Sequence, residues 1–144
     1  MFKFRLEPLI TIRDNKLKER QRELAKAYEA RRIVVEAQQK IEQELEEGQQ
    51  SVREMSQSET IDVNFLLAFQ RHKAYRLLQL EKIQGDLKQI DEEIARRRAA
   101  MIDANKDLKI VEKLKEKRYD KYLEEENNAE TKVMDEISAR TAWH

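Results

Sequence analysis

The stretch Ser56-Gln57-Ser58-Glu59-Thr60-Ile61-Asp62-Val63-Asn64 decides the fold. On either side of it the chain is charged and rich in Ala and Leu, with apolar residues recurring at threes and fours. Within it the pattern stops, and Ser, Thr, Asp and Asn replace Lys, Arg and Leu. Short polar side chains compete for backbone hydrogen bonds and favour caps and turns over helix interiors. Thr60 or Asp62 is placed to cap a new helix by accepting from the N–H groups of its first turn. The stretch therefore reads as the bend, over 56–62, of a helical hairpin with one arm on each side.

Arm one, about 8–55, carries a seam from Leu6, Ile10 and Arg13 through Leu17, Gln21, Leu24, Tyr28 and Arg31. It continues through Val34, Gln38, Ile41 and Leu45 to Gly48, Val52 and Met55. Pro8 belongs in a first helical turn, where its missing N–H is not needed. Arm two, about 62–140, carries Leu66, Phe69, Lys73, Arg76, Leu80, Ile83, Leu87 and Ile90. Its seam then runs through Ile94, Arg97, Met101, Ala104 and Leu108 to Val111. A mean spacing of about 3.5 residues is the period of a left-handed coiled coil.

Folding the chain at the bend puts the two seams in register. Val52 then falls on Leu66, Val34 on Ile83, Tyr28 on Ile90, Leu24 on Ile94, Leu17 on Met101 and Ile10 on Leu108. Gly48 falls opposite Phe69, where a missing side chain leaves room for a ring, and Gln21 and Arg97 share one polar layer. The predicted fold is all-α, a two-helix antiparallel coiled-coil hairpin. Its arms are unequal, about 72 Å and about 118 Å at ~1.5 Å per residue. Beyond about Val111 the second arm is expected to be unpaired, with its seam slipping through Tyr122, Ala129, Val133 and Ile137. A polar helix without a partner is marginal in water, so something outside the chain is expected to hold it.

Composition agrees. Of 144 residues, 40% are charged and 6% aromatic, with two Gly and one Pro, which suits long helices better than a layered globule. The absence of Cys excludes disulfides and thiolate metal sites. No signal-peptide core or membrane-length apolar run is present, so the expected location is cytoplasmic. The formal net charge is zero, which argues against a general grip on nucleic acid. That zero conceals blocks of +5 over 1–35, −6 over 36–64, +5 over 65–122 and −4 over 123–144. In a hairpin the acidic end of arm one meets the basic start of arm two.

Catalytic patterns are absent: there is no Gly-rich phosphate loop, no His-Glu-x-x-His helix and no nucleophile elbow. Carboxylate pairs such as Glu46-Glu47 and Asp91-Glu92-Glu93 read as solvated helix faces. His72 and His144 are isolated, whereas a metal site needs ligands matched on one face. No catalytic, cofactor or metal residue is therefore assigned. Arg96-Arg97-Arg98 lacks interleaved aromatics and reads as a solvated face. Binding features are better represented. Phe65, Leu67, Tyr75, Leu77 and Leu78, with Ile33 and Val35 on the other arm, lie outside the seam, where exposed apolar patches mark partner sites. A wide seam with apolar flanks is the competing explanation. Trp143 reads as a frayed end or an anchor.

Two regions carry a family resemblance. Phe4-Arg5-Leu6-Glu7-Pro8-Leu9-Ile10 with Arg13 resembles the opening of FliJ-type flagellar export proteins. Val111-Glu112-Lys113-Leu114-Lys115-Glu116-Lys117-Arg118, Glu124 to Glu126, Glu130 and Met134-Asp135-Glu136 resemble their closing segment. The resemblance spans nearly the whole chain, and the bend sits where that family places it. It implies a non-enzymatic antiparallel hairpin, similar in shape to the central stalk of rotary ATP synthases. Its terminal end would enter the hexameric ring of the flagellar export ATPase and promote ring assembly. A surface on the hairpin would contact the export-gate membrane protein, and export chaperones are further implied partners. The implied location is cytoplasmic, peripheral to the inner membrane at the flagellar base.

By position the matched terminal residues are Phe4, Leu6, Leu9, Arg13, Leu114, Arg118, Asp135 and Glu136. For the gate, the off-seam residues Phe65, Leu67, Tyr75, Leu78 and Ile33 are the candidates. The same shape suits a stalk of a virulence-type secretion system or rotary ATPase. A dimerising coiled-coil scaffold is the reading from a different class.

Overall fold

The computed structural model describes residues 1–142. Two helices account for almost all of them, α1 from Glu7–Gln57 and α2 from Val63–Ala142, of 51 and 80 residues. The all-α hairpin of unequal helices expected from the sequence is the observed fold.

The bend is built by the short polar residues that mark it. The Ser58 N–H and hydroxyl both donate to the Met55 carbonyl, at 3.1 and 2.8 Å, closing the end of α1. The same hydroxyl lies 2.9 Å from the Thr60 carbonyl. Asp62 caps α2: its Oδ1 accepts from the backbone N–H groups of Asn64 and Phe65 at 3.0 and 3.3 Å. Its carbonyl accepts the first helical bond from Leu66. Of the two residues placed to cap, Asp62 does so. Among the described residues no positive φ occurs, so the reversal uses ordinary backbone conformations and needs no glycine.

The chain groups into two compact units. One comprises residues 22–99 and contains the bend. Leu24, Ala27 and Ile94 are its buried residues. Near the bend, Phe69 rests on the bare backbone of Gly48. A Cβ at position 48 would lie 2.2 Å from the ring's Cε2, so the predicted glycine–ring pairing is observed. Charged side chains bridge the helices at the seam's edges. Arg31 Nε donates to Asp91 Oδ1 at 2.8 Å, and Glu44 accepts from Arg76 at 3.0 Å beside His72 at 3.5 Å. Arg97, a seam position, satisfies its guanidinium on the Glu23 carbonyl at 2.6 Å and on Glu93 at 2.8 Å.

The rotational phase departs from the predicted seam at two positions, Gln21 and Tyr28, which are both exposed, so Gln21 does not share a covered polar layer with Arg97. Ala27 is buried and Tyr28 is 41% exposed. The Tyr28 ring lies under the Arg98 guanidinium and its hydroxyl accepts from Arg98. A small residue lets the helix backbones approach, while a tyrosine at the edge keeps its hydroxyl partnered.

The second unit pairs residues 1–21 with α2 from Ala100 onward. Its buried residues are Phe4, Ala104, Leu108 and Val111. Arg13 Nη1 donates to the Asp107 carbonyl at 2.8 Å. No described side chain in either unit is completely shielded from solvent, because two helices share a single interface.

Here the structure corrects the expectation that α2 is unpaired beyond Val111. Lys115 Nζ lies 2.8 Å from Glu7, Arg118 stacks on Phe4, and Phe2 packs on Tyr119 and Tyr122. Residues 1–4 are not helical. A non-helical segment advances up to about 3.3 Å per residue, against ~1.5 Å for a helix. It therefore reaches further along α2 than helix-to-helix counting allows. Tyr122 is the last described residue of α2 that is not exposed, and every described residue from Leu123 to Ala142 is exposed.

Candidate functional site

The end of the second unit holds most residues matched to a partner-binding end, and they divide into two groups. Phe4 is buried. Leu6, Leu9 and Leu114 are half-buried along the helix interface, and Arg13 is committed to the Asp107 carbonyl. Arg118 lies with its guanidinium carbon 5.6 Å from the Phe4 ring centre, within cation–π range. These six are occupied within the unit. Asp135 and Glu136 are exposed on the helical run 123–142. The structure therefore brings Phe4 and Arg118 together and leaves Asp135 and Glu136 exposed.

The run itself has an apolar face. Leu123, Val133, Met134 and Ile137 are large and exposed, and Ala129, Val133 and Met134 line a shallow groove with Glu130. Spacing by threes and fours places Val111, Lys115, Arg118 and Tyr122 on the same helical face as Ala129 and Val133. The face packed by residues 1–7 thus continues past Tyr122 uncovered. Around it stand Glu124, Glu125, Glu126, Glu130, Asp135 and Glu136, against Lys132 and Arg140, so the surface is acidic as well as apolar.

Sequence reasoning missed Phe2 and Tyr119, and placed Tyr122 in the slipping seam without a partner. The Phe2 ring centre lies 5.2 Å from that of Tyr119 at an interplanar angle of 66°, and 5.5 Å from that of Tyr122 at 42°. The Tyr122 hydroxyl donates to Glu126 Oε1 at 2.8 Å, and this bond raises the phenol's pKa above its ordinary value. The usable signal was compositional. In a chain with 6% aromatics, Phe at 2 and 4 and Tyr at 119 and 122 are concentrated where the seam falters.

The off-seam candidates in the other unit are all exposed: Phe65, Leu67, Tyr75, Leu78 and Ile33. They do not form one patch. Val63, Leu67, Ala74 and Leu78 recur by four, seven and four, a helical stripe turned away from Leu66, Phe69, Lys73 and Leu80. Tyr75 borders that stripe, Phe65 flanks the seam, and Ile33 sits on α1. Val35 is half-buried. Among the described residues no group of three or more His, Asp or Glu is placed to hold a metal, and no helix is long and apolar enough to cross a membrane. His72 flanks the seam beside Glu44; His144 and Trp143 lie outside the described residues.

Among solved structures, that of a YscO homologue from Chlamydia trachomatis is 20% identical, covers 96% of this chain and 93% of its own, and has a TM-score of 0.46. No curated protein matches the chain. Residues 2–144 match the family described as the flagellar FliJ protein. The chain belongs to the FliJ family of flagellar proteins, components of the flagellar type III export apparatus.

Proposed function

We propose that this chain is a non-enzymatic stalk of the flagellar export apparatus. Its terminal end binds the export ATPase ring and promotes ring assembly, and the outer stripe of α2 near the bend contacts the export-gate membrane protein. The observation that carries the first part is the fully exposed run Leu123–Ala142, a helical surface with an apolar face and an acidic surround. An isolated helix of that composition is marginal in water. A site on a partner that covers its apolar face would supply the missing packing. Asp135 and Glu136 are the residues of the matched set with charge free to meet a ring; Phe4, Leu6, Leu9, Arg13, Leu114 and Arg118 support them from within the unit.

The gate reading rests on Leu67, Tyr75 and Leu78, with Phe65 and Ile33 as outlying members. Export chaperones are further candidate partners. The working location is cytoplasmic, peripheral to the inner membrane at the flagellar base.

The test is turnover by the cognate export ATPase with and without this protein, alongside sizing of the ATPase. Stimulation with ring formation, lost on deleting 123–144 while the remaining hairpin stays helical, is the expected result. No change in either observable sinks the ring reading. The exposed Leu123, Val133, Met134 and Ile137 also favour a second reading, a scaffold that dimerises through this run. A stable dimer without ATPase, abolished by the same deletion, would point there.

A further inference from the structure

Residues 2, 4 and 7 meet α2 at positions 115, 118, 119 and 122. On a helix these four are spaced i, i+3, i+4 and i+7, so they form one face. The contacts are graded along it. An ion pair joins Glu7 to Lys115, a cation–π contact joins Phe4 to Arg118, and the Phe2 ring closes the set against Tyr119 and Tyr122. The tilted and edge-on ring geometries are those aromatic pairs prefer. Immediately beyond, the Tyr122 hydroxyl reaches Glu126, and from Leu123 on every described residue is exposed. The last contact made by residues 1–7 thus falls at the base of the exposed run.

That placement matters because of how helices form. Nucleating a helical turn is unfavourable, with a factor of about 10⁻³, whereas extending one already formed is nearly neutral. A charged run such as 123–142 has little reason to nucleate by itself. It extends a helix already formed up to Val111, so the hold at 115–122 shortens the length that can fray from 112–142 to 123–142. Without that hold, fraying would begin near Val111, the last deeply buried residue of α2.

We infer that Phe2, Tyr119 and Tyr122 are positioning residues: they form an aromatic clasp that holds α2 helical up to Tyr122 and so presents the run 123–142 to its partner. The partner half of this statement rests on the ring-binding reading above. The clasp half concerns the protein alone. The rings carry it, and the Tyr122 hydroxyl is secondary.

The experiment compares full-length Phe2→Ala, Phe2→Tyr and Tyr122→Phe with the native chain and with a deletion of 123–144. Amide hydrogen exchange is read at 113–142, with exchange at 22–99 as the control for folding. ATPase stimulation is measured at limiting protein. Phe2→Ala is expected to speed exchange across 113–142 by about tenfold, leave 22–99 unchanged and lower stimulation at limiting protein. Phe2→Tyr, which restores a ring, should recover both, and Tyr122→Phe should stay close to native. Unchanged exchange in Phe2→Ala removes the clasp. Faster exchange with native stimulation, in an assay where the deletion abolishes stimulation, removes the positioning role and leaves the ring reading standing. If the deletion leaves stimulation intact, the ring reading and the positioning role fall together, while exchange still decides the clasp.

Discussion

Two stretches of the same helix behave differently. From Leu66 to Val111, α2 has Leu, Ile, Val or Met at most seam positions, each half-buried or buried; from Leu123 to Ala142 every described residue is exposed. Both stretches are helical and densely charged, so neither helical propensity nor charge separates them. What separates them is a partner. The first draws its stability from packing on α1 and holds its charged residues at the seam's edge, as Arg31–Asp91 and Arg76–Glu44 do. The second relies on bonds within the helix, such as Tyr122 to Glu126 and Thr131 to the Asn127 carbonyl. Local helical order and tertiary burial are thus separate properties, and the second region keeps its apolar side chains exposed because it lacks burial.

The largest expected difference comes from truncating one isoleucine in each stretch. Ile94 is 7% exposed and Ile137 is 53% exposed. Ile94→Ala should cost about 2–4 kcal/mol in urea unfolding, and Ile137→Ala should stay within ~0.5 kcal/mol. Equal losses would mean that the run is packed in solution, and the comparison would break.

Next come the two glycines, both in helices. A Cβ at Gly48 meets Phe69 at 2.2 Å, whereas one at Gly85 meets nothing within 4 Å. Gly85→Ala should raise stability by about 0.5–1 kcal/mol through helix propensity alone. Gly48→Ala should lower it, because moving the ring costs about 1–3 kcal/mol and outweighs that gain. Thermal melts shifting in opposite directions would confirm that the glycine–ring contact is a packing requirement.

A smaller effect is expected at the cap. Asp62→Ala leaves the Asn64 and Phe65 N–H groups without their carboxylate acceptor and should cost about 1 kcal/mol. Asp62→Asn should recover most of it.

The smallest effect is electrostatic. Hydrogen bonds from Arg96 and then Arg97 hold the Glu93 carboxyl below its ordinary value, and Arg32 does the same for Glu29. A carboxylate with a depressed folded pKa stabilises the fold above its unfolded pKa, and that contribution is lost as pH falls through the folded value. Helix content should therefore soften below the ordinary glutamate range. Glu93→Gln should flatten that part of the acid titration. Both carboxylates are solvent-exposed, so the amplitude should be slight.

Much of this molecule could be read from residue order alone. The bend with Thr60 or Asp62 as its cap, the two helices and most interface residues follow from local signals: short polar side chains that compete for the backbone, and apolar residues at a helical period. Such signals act within one turn of the chain, so a sequence displays them directly. Three features needed the tertiary structure. Whether Ala27 or Tyr28 faces inward depends on how closely the backbones approach and on Arg98 standing where the hydroxyl can reach it. How far residues 1–4 extend along α2 depends on their non-helical path, which no heptad count contains. Where contact with the first residues ends on α2, at Tyr122 and not Val111, follows from that path. Periodicity determined which faces are apolar; the geometry of two chain segments far apart in sequence decided which of those faces is covered.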